Sequence, residues 1–210
     1  MAATARGERT RRAFRDGAKH VVAQKGFLRT TITDIAAAAG KSPASFYNYY
    51  DSKEDLLEEL AEEFRQDTLQ RAQPAFRSGV PVEQIMEDSV RAYWESYKAH
   101  LAELVGVFQV AMIDERFAER WREIRLAGIE TIADGVRRAQ DQGYCPGADP
   151  WLTAGAIGSM FEHFCYVLLA QGGAFRDRPF DDEDAIRTIA SIWYHAVYWR
   201  PSESTPAPGG

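Results

Sequence analysis

Ala44, Ser45, Asn48 and Tyr49 fall close together after a glycine turn and a helix cap, and their types suit the edges and backbone of a nucleic-acid duplex. An asparagine amide can pair with the major-groove edge of adenine, and an alanine methyl can meet the methyl of thymine. Ala44 is also small enough to let a helix sit deep in the groove. The hydroxyls of Ser45, Tyr47 and Tyr49 can reach phosphate oxygens, and Lys53 adds positive charge at the start of the next helix. This is contact chemistry, not turnover. His20, His100, His163 and His195 have no metal-ligand spacing, and Cys145 and Cys165 form no CxxC pair. There is no glycine-rich phosphate loop, nucleophile elbow or HExxH. Glu162 and His163 are neighbours on one helix and point in different directions. No enzyme, metal site or cofactor is expected.

The elements that must position these residues read as helices throughout, with no strand. The first helix begins near Glu8, carries Phe14, Ala18, Val21 and Val22 at helical spacing, and stops at Gly26, with Phe27 placed to fold back onto Val22. Thr31 caps a second helix, with Asp34 completing a capping box and Ile35, Ala36 and Ala39 facing inward. Gly40 supplies the turn. Ser42 caps a third helix with Pro43 at its first position, and Phe46 and Tyr50 face inward. Asp51 or Ser52 caps a fourth helix from Lys53, with Leu56, Leu57, Leu60 and Phe64 as its apolar stripe. Beyond the breakers Ser78–Pro81, five more helices are expected, over 82–98, 101–113, 116–142, 151–171 (ending at Gly172-Gly173) and 182–199. Gly143–Pro150 reads as a loop.

In this layout Thr31, Ile35, Ala36, Ala39, Gly40, Ser42, Tyr47, Tyr50, Lys53 and Leu56 stand in register with a known pattern, T-x-x-x-I-A-x-x-A-G, then V-S, a tyrosine, an aromatic and K-x-x-L. The segment resembles the helix-turn-helix of the tetracycline-repressor (TetR) family of bacterial transcriptional regulators. Lys41 departs from the usual apolar residue of that turn, and either adds a phosphate contact or loosens the turn. The resemblance implies an all-α fold with a three-helix DNA-binding head over 1–53, a helical effector-binding and dimerisation body over 54–200, and a disordered tail over 201–210. It implies phosphate contacts by Thr31, Ser42, Tyr47, Tyr49 and Lys53, and base-edge reading by Thr33, Ala44 and Asn48, with Pro43 near them and Ser45 in either role. Arg6, Arg9, Arg11 and Arg12 form a basic arm that either reaches the flanking DNA or stays a solvated terminus. The implied partners are a pseudo-palindromic double-stranded DNA operator, a small-molecule effector and a second copy of the chain.

The helix over 151–171 is apolar nearly all round, so it must be covered on more than one side, in a monomer core or between subunits. With the last helix (Trp193, Tyr194, Val197, Tyr198) it is the expected dimer surface. Trp94, Tyr97, Phe108, Met112, Trp121, Phe161, Glu162 and Phe164 are the expected lining of an apolar or aromatic effector cavity, Glu162 and His163 serving as polar anchors or as a satisfied pair. The function expected is a ligand-responsive regulator, on base rates a repressor. A helical protein-interaction module, or an enzyme without a recognisable catalytic motif, is the alternative.

Composition sharpens this. The 210-residue chain carries a net charge of −6, which taken whole argues against a nucleic-acid binder. Residues 1–53 nevertheless hold ten Lys/Arg against four acids, a net of +6, and the remainder is −12. A basic head on an acidic body localises attraction for phosphate. Reduced cysteines, no signal peptide and no apolar run long enough to span a membrane point to the cytoplasm.

Overall fold

A computed structural model describes residues 5–72, 79–172 and 180–201. Among these, nine α-helices follow one another: α1 (Ala5–Lys25), α2 (Ile32–Ala38), α3 (Pro43–Phe46), α4 (Lys53–Ala72), α5 (Val82–Ala99), α6 (Leu101–Ala111), α7 (Glu115–Asp141), α8 (Pro150–Cys165) and α9 (Asp182–Val197). A π-helical turn, Tyr166–Ala170, prolongs α8. The described residues contain no strand. The expected tail beyond 201 lies outside them, as do Ser78 and Gly173 of the expected breakers.

The caps follow from side-chain chemistry. Thr31 and Asp34 form a reciprocal capping box on α2, and Ser42 Oγ accepts from Ser45 N–H with Pro43 in the first turn of α3. Ser52 Oγ accepts from Asp55 N–H while Asp55 accepts from the amides of Asp51 and Ser52, so Ser52 is the cap of α4. Asp114, Asp149 and Asp181 cap α7, α8 and α9. Each such cap contributes about 1 kcal/mol and fixes where its helix starts. Gly26 ends α1 at φ +76° and Gly40 ends α2 at φ +64°, a region open to glycine at no steric penalty.

Two hydrophobic clusters hold the helices. One gathers Phe14 and Ala18 of α1, Ile35 and Ala36 of α2, Phe46, Tyr50, and Leu56 and Leu60 of α4. The other runs through α4 to α9 and takes in Val22 and Phe27 from the end of α1. Helix α4 serves both, because Leu57, Ala61 and Phe64 face the second cluster while Leu56 and Leu60 face the first. A boundary at residue 53 thus falls at the start of a helix shared by both cores.

Helix α8 with its π turn corrects one expectation. Pro150–Ala170 is 21 residues long and holds an 18-residue window of mean hydropathy 1.3, long and apolar enough by composition to cross a membrane, yet only 22% of that window is buried. It packs on α7 along one side. Leu152, Ala156, Ser159 and His163 are exposed on its other side, and Ile192, Ala196 and Trp199 are exposed at α9.

Candidate nucleic-acid interface and core cavity

Helix α3 has four residues, too few to hold itself in water. It is fixed by Phe46, fully buried, whose ring lies 5.3 Å edge-on to Phe14 and 5.2 Å from Tyr50. The chain continues as tight turns through Tyr50, with Tyr49 and Tyr50 amides both bonded to Phe46 O. Anchoring one face turns the other outward. Thr33, Ser42, Pro43, Ala44, Tyr47 and Asn48 are all exposed, while Ser45 and Tyr49 are half-buried. Tyr49 leans on Phe14 at 5.9 Å. Helix α2 is pressed onto α1 at Gly17, where a Cβ would lie 3.0 Å from both Ala39 N and Ile35 O.

The caps occupy two of the expected phosphate contacts. Thr31 Oγ1 donates to Asp34 Oδ2 at 2.5 Å, and Lys25 Nζ bonds the same oxygen at 2.5 Å. These bonds hold the Asp34 carboxyl down at about 2, Lys25 contributing most. Lys53 is placed differently from the expectation. Its ammonium donates to the carbonyls of Thr30 at 2.9 Å, Phe27 at 3.2 Å and Leu28 at 3.5 Å, and lies 4.6 Å from the centre of the Phe27 ring. It ties the α1–α2 corner to the start of α4.

The basic charge of the head divides likewise. Arg11 and Arg15 pair with Glu59, and Arg15 and Lys19 with Glu63, forming a ladder from α1 to α4. Burial pushes Glu59 up, but the bonds from Arg15 and Arg11 outweigh it and its carboxyl is lowered. Arg11 also sits over the Tyr50 ring at 5.2 Å. The expected basic arm is therefore the first turns of α1, with Arg11 turned inward. Arg6, Arg9, Arg12, Arg29 and Lys41 are exposed and, among the described residues, form no ion pair.

Residues 14–60, the stretch that builds this head, match the family model described as bacterial regulatory proteins, tetR family. The head belongs to the tetR family of bacterial regulatory proteins. The chain is 25% identical to the transcriptional regulator EthR of Mycolicibacterium smegmatis over 212 aligned positions, covering 93% of each chain. It is 28% identical to the transcriptional repressor KstR2 of Rhodococcus jostii over 130 residues, which are 55% of this chain and 63% of that protein. The crystal structure of Thermus thermophilus FadR, a TetR-family repressor in complex with lauroyl-CoA, superposes with a TM-score of 0.65 at 20% identity, covering 95% of this chain and 100% of that one, which shows a shared fold. Both relatives are named as transcriptional regulators or repressors, and neither is named as an enzyme.

The body contains a cavity of about 180 Å³ between α4, α5, α7 and α8, with Trp193 of α9 closing one side. Three of the expected lining residues, Trp121, Phe161 and Glu162, are there. The others are elsewhere. Trp94 and Tyr97 are core residues packed out of reach, and Phe164 lies against Trp94. Phe108 packs against Trp121 and Tyr166. Met112 is 82% exposed at the α6–α7 corner, because α6 stops at Ala111, before the periodicity does. In their place stand Phe64 and Leu69 of α4, Tyr93 and Trp193. Tyr93 belongs to the same aromatic stripe, but one helical step decides which stripe residues face the gap.

Glu162 is not isolated. Arg125 of α7 donates Nε to its carboxylate, and both side chains are largely buried in the cavity wall. Burial pushes the Glu162 carboxyl up, with Arg125 opposing. His163 is exposed on the opposite side of α8.

Proposed function

We propose that the protein acts as a symmetric homodimer that represses transcription by holding two heads on a pseudo-palindromic operator and is released by a small effector seated in the α4–α8 cavity. The observation that carries DNA reading is the outward placement of Ala44 and Asn48 on α3 and the turn after it, with Phe46 anchoring the face behind them. In this reading Thr33, Ala44 and Asn48 meet base edges, Pro43 lies near them, Tyr47, Tyr49, Thr31 and Ser42 approach phosphates, and Ser45 serves either. Exposed Lys41, Arg6, Arg9 and Arg12 supply flanking charge.

A single short helix reads few bases, so two copies addressing half-sites roughly 34–36 Å apart are needed. The exposed apolar face of α8 and α9 supports that pairing. Repression is favoured by the relative KstR2, a repressor, and the place of action is the cytoplasm, where the DNA is. The head is taken as 1–53 and the body as 54–200, with α4 connecting operator to cavity: its first turns pack in the head and Phe64 to Leu69 form a cavity wall. An effector that prefers one setting of α4 by about 1–3 kcal/mol, a range common for allosteric coupling, shifts operator affinity about 5–150-fold.

Binding-site selection with the purified protein tests this. An inverted repeat is expected, with affinity falling steeply with salt, and Asn48→Ala is expected to relax base preference at one position of each half-site. Selection that recovers no repeat, or equal losses by Asn48→Ala on specific and random DNA, would overturn the assignment.

A further inference from the structure

The walls of the cavity specify more than an apolar ligand. Its volume, about 180 Å³, is well below the roughly 300–1,000 Å³ of most small-molecule pockets. An engineered cavity of about 150 Å³ is filled by benzene, so this one holds a single ring with one or two substituent atoms. The walls are themselves rings: Tyr93 and Phe161 lie 5.6 Å apart, Phe161 and Trp193 5.5 Å, and Trp121 lines the α7 side. Ring edges and faces at such spacing favour another ring.

The polar groups define the charge. Glu162 and Arg125 already neutralise each other, and Arg65, the other cation of the wall, is paired with Glu62. A carboxylate ligand reaching Arg125 would strip Glu162 of its partner, and an ammonium ligand reaching Glu162 would do the same to Arg125. Either leaves a buried charge unpaired. An uncharged ligand leaves the pair intact. The Tyr93 hydroxyl has no hydrogen-bond partner among the described residues, and so offers one polar handle.

Resting on the effector role assigned to this cavity, we propose that it takes a compact, uncharged, single-ring aromatic molecule bearing one hydrogen-bonding group, of the size and polarity of 4-methylphenol. Selectivity against acids comes from Glu162, which occupies Arg125 across α7 and α8.

Intrinsic tryptophan fluorescence reads the cavity, because Trp121 and Trp193, two of the chain's five tryptophans, line it. Full-length protein is titrated with 4-methylphenol, benzoate, benzylamine and lauroyl-CoA, alongside Gly158→Leu and Glu162→Gln. A Cβ at Gly158 meets only Ile129 Cγ1 at 3.6 Å, so the leucine extends into the cavity; Gly158→Ala and the far-ultraviolet circular dichroism of each variant control for folding. The expected result is saturable quenching by 4-methylphenol, at least about ten-fold tighter than by benzoate or benzylamine, lost in Gly158→Leu and kept in Gly158→Ala. In Glu162→Gln, Arg125 is freed and benzoate is expected to gain about ten-fold. Benzoate binding the native protein as tightly as 4-methylphenol, or lauroyl-CoA alone binding, would overturn the ligand class and leave an effector cavity standing. No quenching by any probe, with operator binding unchanged by Gly158→Leu across a wider ligand screen, would overturn both.

Discussion

Phe27 and Gly106 meet so closely that a Cβ on Gly106 would lie 2.7 Å from Phe27 Cβ and 3.1 Å from its Cγ. This contact locks the end of α1, and so the head, onto α6 of the body, with Leu57 of α4 beside it. Gly106→Ala is expected to force the two apart. Overpacking of this kind costs about 1–3 kcal/mol, partly offset by a helix-propensity gain of about 0.5–1 kcal/mol. At about 2–4 °C per kcal/mol for a chain of this size, calorimetry should show Tm lower by a few degrees. If the contact also transmits effector binding, the ligand-induced change in operator affinity shrinks in the same variant. An unchanged Tm would mean that α6 and the α1–α2 corner yield freely.

Lys53 and Lys41 separate two roles that sequence alone merges. Lys53→Ala removes the bonds to three carbonyls and is expected to lower Tm and weaken all DNA binding together. Lys41 is exposed, its amide bonded to Ala36 O at 2.8 Å, and Lys41→Ala is expected to leave Tm in place while reducing the log–log salt slope of DNA binding by about 1. Thermal melts and salt titrations of both variants decide it. A Lys53→Ala protein with native Tm and reduced slope would return that lysine to the phosphates.

The local code of the head is legible in the sequence because each signal is short-range. Thr31 with Asp34, Ser42 with Pro43, and Gly26 and Gly40 determine their own turns whatever surrounds them, and Phe46 can only face inward once they are set. What is not legible depends on partners distant in sequence. Nothing near Lys53 announces that the carbonyls of Phe27, Leu28 and Thr30 will be waiting, and nothing near Arg11 or Arg15 announces Glu59. The cavity suffers most. Trp121, Phe161 and Glu162 do line it, but Trp94, Tyr97 and Phe164 sit on lining helices a step of rotation away, Phe108 and Met112 belong to α6 and its end, which lie outside the wall, and periodicity does not tell a gap from a filled core. Arg125, which neutralises Glu162, carries no sequence mark at all.

The exposed side of α8 and α9 leads to a prediction on assembly. Leu152 is 76% exposed and Ile192 50% exposed, while the small Ala156 and Ser159 of α8 would let helices approach closely. Leu152→Glu with Ile192→Glu places charges on this face without touching either buried cluster. Sedimentation should show the native chain as a dimer and the double variant as a monomer, with operator affinity lost alongside. A native chain that sediments as a monomer would leave this face without a subunit partner.

Asp34 yields a pH dependence with a definite sign. Its folded pKa, about 2, lies below the ordinary carboxylate value of 3.8. A depressed carboxyl contributes stability that is fully present above the unfolded value and is lost as pH falls through the folded one. Native protein should therefore lose stability from this source as pH drops from about 4 towards 2, while Asp34→Asn, already lacking the Lys25 and Thr31 bonds to a carboxylate, shows a flatter curve over that window and a lower Tm at neutral pH. Melts at closely spaced pH values compare the slopes. Parallel curves would show that Lys25 and Thr31 find equivalent partners without the charge.

The ladder from α1 to α4 sets a limit on how much of the head's basic charge faces DNA. Glu59 and Glu63 hold Arg11, Arg15 and Lys19 against α4. Replacing both acids, Glu59→Gln with Glu63→Gln, keeps the side-chain volumes and frees three cations. If those cations swing towards the duplex, each phosphate neutralised adds about 0.9 to the magnitude of the log–log salt slope, and affinity for random DNA rises more than affinity for the operator, because the added contacts read no bases. Stability falls in the same variant, since the half-buried pairs fasten α1 to α4. Salt titrations on operator and random duplexes, paired with melts, resolve the two effects. A slope that does not move while Tm drops would show that the freed cations remain beside α4, so that the charge available for DNA is confined to Arg6, Arg9, Arg12, Arg29 and Lys41.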